Sequence, residues 1–80
     1  MQITRSAAAR PYATRGHHEM VALQLQGEAA TDTETVTVGL SHFLPGGGAS
    51  LSHSPRERVY VVVAGEMTVV AGGEEATLAA

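Results

Sequence analysis

Residues 45–67, PGGGASLSHSPRERVYVVVAGEM, leave this chain few choices of fold. Three successive glycines follow Pro45, and each glycine in a helix interior costs about 1 kcal/mol relative to alanine. Pro55 marks a second break and Gly65 a third. Between them runs Val59-Tyr60-Val61-Val62-Val63, a β-branched and aromatic stretch of the kind that suits a strand covered on both faces. The predicted order is a glycine loop, a short polar strand over 51–54, a turn, an apolar strand over 59–63 and a tight turn over 64–66.

The flanking sequence repeats this strand-and-turn rhythm. Over 17–26 the chain alternates: Val21, Leu23 and Leu25 fall on one face, and Ala22, Gln24 and Gln26 on the other. Period two argues a half-buried strand, and the same parity carries His17 and Glu19 onto the Val21 face. Residues 27–33 read as a polar loop. A second alternating run over 34–44 puts Val36, Val38, Leu40, His42 and Leu44 on one face, ending at Pro45, which cannot donate to a ladder. Residues 67–71 form a further strand. Gly72-Gly73 turns the chain, and a last strand starts at Glu75. Residues 1–16, rich in Ala and Arg and interrupted by Pro11, read as an extended arm with at most a short helix over 6–10; residues 17–80 form the β domain. No segment holds a helical period, so the expected class is all-β, a sandwich or barrel.

Composition narrows the function classes. Eighty residues make one small domain. A chain this short buries only about 60% of its unfolded surface and needs support from a disulfide, a metal or a partner. There is no cysteine, which removes disulfides and thiolate metal sites. The net charge of -3, with no basic run, carries no nucleic-acid footprint. No apolar stretch is long enough to span a membrane as a helix, and the N-terminus lacks a signal-peptide core, so a cytoplasmic protein is the expectation.

The glycine-to-glycine spacing resembles the first motif of the cupin superfamily: Gly, five residues, His, one residue, His, three or four residues, Glu, six residues, Gly. The run VYVVVAGE sets the register, with Gly65 as the closing glycine and Gly46 as the opening one. Ser52 and Ser54 then stand at the two histidine positions and Arg58 at the glutamate position. A shifted register brings His53 to the second histidine position but puts Leu51 and Pro45 where His and Gly belong; counting from Gly47 also reaches His53 but breaks the later spacing. The family's second motif is absent. The resemblance implies a jelly-roll β-barrel, incomplete within this chain, that is either a fragment or is completed by another copy through strand exchange or edge pairing as a homodimer.

The same resemblance frames the candidate site. Its usual chemistry is that of a divalent metal (Fe, Mn, Ni or Zn) held by imidazoles and a carboxylate. Serine hydroxyls are poor ligands and Arg58 would repel a cation, so the motif argues against a metal; were one bound, His53, His42 and His17 would be its imidazoles. The favoured expectation is a small-molecule-binding cavity without a metal, lined by Arg58, Tyr60, His42, Ser52 and Ser54. Arg58 would grip a carboxylate or phosphate, or else turn outward to Glu57 or Glu66. Tyr60 shares its parity and lines the cavity or packs as an amphipathic core residue. His42 is expected to point inward, as a satisfied core residue or a ligand. His53 has the opposite parity to the serines and faces away. A metal-dependent oxygenase, isomerase or lyase, and a structural half-barrel used in assembly, are the alternatives.

Overall fold

The computed structural model describes residues 1–28 and 30–80. Ala29, inside the loop expected over 27–33, lies outside the described residues. Among the described residues the regular structure is all-β apart from a 3-10 turn at Ser6–Ala8. Strands β1 (Arg10–Tyr12), β2 (His17–Gln26) and β3 (Val38–Ala49) form an antiparallel sheet in the order β1-β2-β3. Strands β4 (Glu66–Ala71) and β5 (Glu74–Ala79) form a separate antiparallel hairpin. Its turn is Gly72-Gly73, with φ of 57° and 78°, the two positive values that a tight two-residue hairpin connection requires. Thr68 and Thr77, register partners on this hairpin, hydrogen-bond through their hydroxyls at 3.0 Å.

Neither sheet closes on itself, so within these residues there is no barrel. The strands expected over 51–54 and 59–63 are also absent: residues 51–63 form no ladder with any described strand. The reason is physical. A strand is defined by its partner, and β-branched side chains alone do not supply one. Val59, Val61 and Val63 are consequently 89%, 77% and 72% exposed.

The N-terminal residues join the sheet through β1. β1 pairs with Gln24, Leu23 and Ala22 of β2, and the Thr4 hydroxyl donates to the Leu25 carbonyl at 2.6 Å. This docking inverts the expected inside and outside of β2. Tyr12, Ala22 and Ser41 are register partners and share one face of the sheet, and Ala22 is its most buried hydrophobic residue at 2% exposure. Gln24 and Gln26, which flank a second irregularity in the β2–β3 ladder, are both half-buried and hydrogen-bonded. Gln24 Nε2 donates to the carbonyls of Gln26 and Val38. Gln26 Oε1 accepts from Thr31 and Thr33, while its Nε2 donates to Thr4. The opposite face carries Val21, 52% exposed, opposite His42, and Leu23 opposite Leu40. His42 is exposed rather than inward-facing, because no second layer covers that face.

β3 runs on through Pro45, where a strand end was expected. The ladder jumps there: Met20 pairs with Phe43 and His18 with Gly48, so residues 44–47 have no partner on β2. Proline's missing N–H therefore costs no ladder hydrogen bond.

Candidate functional site

The irregularity between His18 and Met20 is the most distinctive local structure in the chain. Glu19 sits inside it with φ of 51°, a left-handed conformation costing a non-glycine residue on the order of 1–2 kcal/mol. Gly47 holds it there. A Cβ placed on Gly47 would lie 2.3 Å from the Glu19 carbonyl oxygen and 2.9 Å from that of Leu44, so the two backbones close only over glycine. Bulges of this kind re-aim a side chain, and strained residues that persist cluster at functional sites.

Around Glu19 lies a cleft of about 360 Å³ between the end of β1 with the chain leaving it and the first half of β2. Tyr12, Thr14, His17, His18, Glu19 and Met20 supply its polar and soft apolar groups. The turn leading into β2 fixes them. His17 N–H reaches back to the Thr14 carbonyl, and Ser50 N–H donates to the Gly16 carbonyl at 2.8 Å. Thr14 Oγ1 donates to the Met20 sulfur at 3.5 Å. His17 Nδ1 donates to the Arg15 carbonyl at 2.9 Å, which leaves Nε2 of the neutral ring as an acceptor. The His17 ring stacks on Phe43 with centroids 6.4 Å apart and planes at 26°, and the His18 ring lies over Gly48. The cleft is thus lined by a carboxylate residue, two histidines and hydroxyl-bearing residues beside apolar ones.

The residues singled out by the motif lie elsewhere. Ser52, Ser54, Arg58 and Tyr60 are on the exposed segment that joins the two sheets, and His42 is on the open face of β3. The Ser54 hydroxyl turns back on its own segment, donating to the Arg56 carbonyl and accepting from its N–H. None of the five lines the Glu19 cleft or the second, smaller cleft under the 3-10 turn. The imidazoles considered as metal ligands are also dispersed: His17 begins β2, His42 is mid-β3 and His53 is on the joining segment. Among the described residues no three of His, Cys, Asp or Glu come together in a group that could hold a metal ion. The same bulge corrects the sequence parity, since the irregular register at Glu19 breaks the alternation that placed His17 and Glu19 on the Val21 face. The sequence set Glu19 beside the tandem His17-His18 but did not show the bulge, whose steric condition lies in Gly47, across the ladder.

Together the fold and the cleft define a small antiparallel β domain in which Glu19, on a left-handed backbone, and two histidines line one cleft. No family model matches the chain, and no solved structure matches it significantly. A curated protein from Mycobacterium tuberculosis (strain ATCC 25618 / H37Rv), named Beta-D-galactosidase Rv1717, is 42% identical over 78 residues, covering 98% of this chain and 67% of its own length. The chain belongs to the family of that mycobacterial protein. No helix among the described residues is long and apolar enough to cross a membrane.

Proposed function

We propose that the protein is a cupin-like small-molecule-binding domain whose ligand is a β-D-galactoside, held in the cleft around Glu19. The observation that carries this reading is the 42% identity, over nearly the whole chain, to a protein named for galactosidase activity. The donor set supports it: a carboxylate and the His17 and His18 rings can take up the ring hydroxyls of a hexose, with Met20 and Tyr12 against its apolar edge. Glycoside hydrolysis ordinarily uses two carboxyl groups flanking the bond. Glu19 is the carboxylate the cleft contains, so the function assigned to this cleft is binding.

Titrating the isotope-labelled protein with methyl β-D-galactoside, and separately with methyl β-D-glucoside, tests the proposal by amide chemical shifts. Saturable shifts centred on residues 12–20 with the galactoside, lost in Glu19→Gln, are expected. No shift, or equal shifts with both sugars, would overturn the ligand. Shifts centred on Ser52, Ser54, Arg58 and Tyr60, and abolished by Arg58→Ala, would move the site to the cupin-motif segment and favour an anionic ligand.

A further inference from the structure

The charges of this chain are divided along its length. Residues 1–18 hold Arg5, Arg10 and Arg15 and no Asp or Glu, whereas all 8 acidic residues fall from Glu19 onward. Pairing through β1 lays this positive segment along β2. The second cleft opens within it, under the 3-10 turn, with a volume of about 330 Å³, enough for a small molecule. Arg10 is the one charged residue among the described residues that line it, so no carboxylate there neutralises the guanidinium.

The polar groups of this cleft have fixed roles. Arg10 and Gln24 are register partners on β1 and β2, which brings their Cβ atoms to about 5 Å. Gln24 Nε2 is already spent, donating to the carbonyls of Gln26 and Val38 at 2.9 Å and 3.3 Å. Both partners are acceptors, so the amide can turn only one way, and Oε1 is the group Gln24 presents to a ligand. Thr4 is spent as well: its hydroxyl donates to the Leu25 carbonyl and accepts from Gln26 Nε2, which pins the wall of the cleft. Tyr12 closes the side shared with the Glu19 cleft. Its ring spans β2, since a Cβ on Gly39 of β3 would lie 3.3 Å from Tyr12 Oη.

A guanidinium takes a carboxylate through paired N–H donors. An amide oxygen beside it repels a bare oxyanion and calls for a hydroxyl donor on the neighbouring carbon. We propose that this cleft binds a small hydroxycarboxylate, with the carboxylate on Arg10 and the adjacent hydroxyl donating to Gln24 Oε1. The inference does not depend on which ligand the Glu19 cleft takes.

The test is a titration of isotope-labelled protein with sodium D-gluconate at constant ionic strength, followed by amide shifts. Saturable shifts at Ala8, Ala9, Arg10 and Gln24 are expected. Acetate, which lacks the hydroxyl, and D-glucitol, which lacks the carboxylate, should each bind about tenfold more weakly or worse. Arg10→Gln should weaken gluconate binding by about tenfold or more, whereas Arg15→Gln, which removes an equal charge outside the cleft, should leave it within about twofold. Arg10→Lys keeps the charge without the planar fork and should also bind more weakly, which preserves the test if Arg10→Gln does not fold. Absence of saturable shifts, or shifts centred on residues 14–20, would overturn the proposal. So would equal weakening by Arg10→Gln and Arg15→Gln, unchanged affinity in Arg10→Lys, or acetate binding as tightly as gluconate.

Discussion

Gly47→Ala is the substitution on which the description of the bulge stands or falls. The new methyl carbon would lie 2.3 Å from the Glu19 carbonyl oxygen, 2.9 Å from that of Leu44 and 3.1 Å from the Glu19 carbonyl carbon. All three are backbone atoms, so no rotamer relieves the clash; β2 and β3 must separate. Overpacking of this kind costs about 1–3 kcal/mol, and the rigidity of the neighbours argues for the upper end. Gly46→Ala is the control. Gly46 has φ of 83° but nothing within 4 Å of its Cβ position, so its cost is the left-handed conformation alone, about 1–2 kcal/mol. A chain of this size has a total stability on the order of 4–12 kcal/mol, so a 3 kcal/mol loss is readily seen. In urea, with m on the order of 1 kcal/mol/M for a small domain, Gly47→Ala should lower the midpoint by roughly 2–3 M and Gly46→Ala by roughly 1–2 M. Both are read by far-ultraviolet circular dichroism at one fixed protein concentration, because association contributes to apparent stability. A Gly47→Ala midpoint at or above that of Gly46→Ala would refute the steric account of how Glu19 is held.

Three further outcomes follow from the same geometry. Gln26→Ala removes the acceptor of Thr31 and Thr33 and the donor to Thr4, and should cost about 1–2 kcal/mol in urea unfolding while loosening the docked N-terminal residues in amide exchange. Glu28, exposed with φ of 50°, should gain roughly 0.5–1 kcal/mol as Glu28→Asn, since asparagine tolerates the left-handed region better; an unchanged midpoint would argue against that backbone. Glu19→Asn should show a similar gain but lose galactoside-induced amide shifts, separating strain held for binding from strain in a loop.

The sequence was most legible where local chemistry decides the outcome. Alternation located β2, and Gly72-Gly73 located the β4–β5 hairpin to within a residue at either strand. It was least legible where a distant segment decides. Ala22 is the buried residue of β2, where β1 docks beside it with Tyr12 as its register partner, and alternation says only that two faces exist. The strand expected over 59–63 has the composition of one and lacks the neighbour, a deficit that propensity does not register. Pro45 looked like a terminator because proline is poor in ladders, yet the excursion over 44–47 leaves no ladder bond for it to break. For the candidate site, the tandem histidines and Glu19 were visible as a cluster in sequence. Their arrangement was not, because glutamate carries no preference for positive φ and the glycine that permits it lies in another strand.

The crossing of Glu19 and Gly47 also bears on misfolding. Gly46, Gly47 and Gly48 are interchangeable as far as a missing Cβ is concerned, whereas Pro45 and Ala49 on either side are not. Sliding β2 along β3 by one position still sets a glycine against the Glu19 carbonyl; sliding by two drives a proline ring or a methyl group into it. Sterics at the crossing therefore reject even-numbered slips, the ones that would preserve which side chains face which way. One-residue slips pass that filter and are rejected by the alternation of β2 and β3, because each turns every side chain to the opposite face. Two independent filters of opposite parity leave a single alignment for the chain to find.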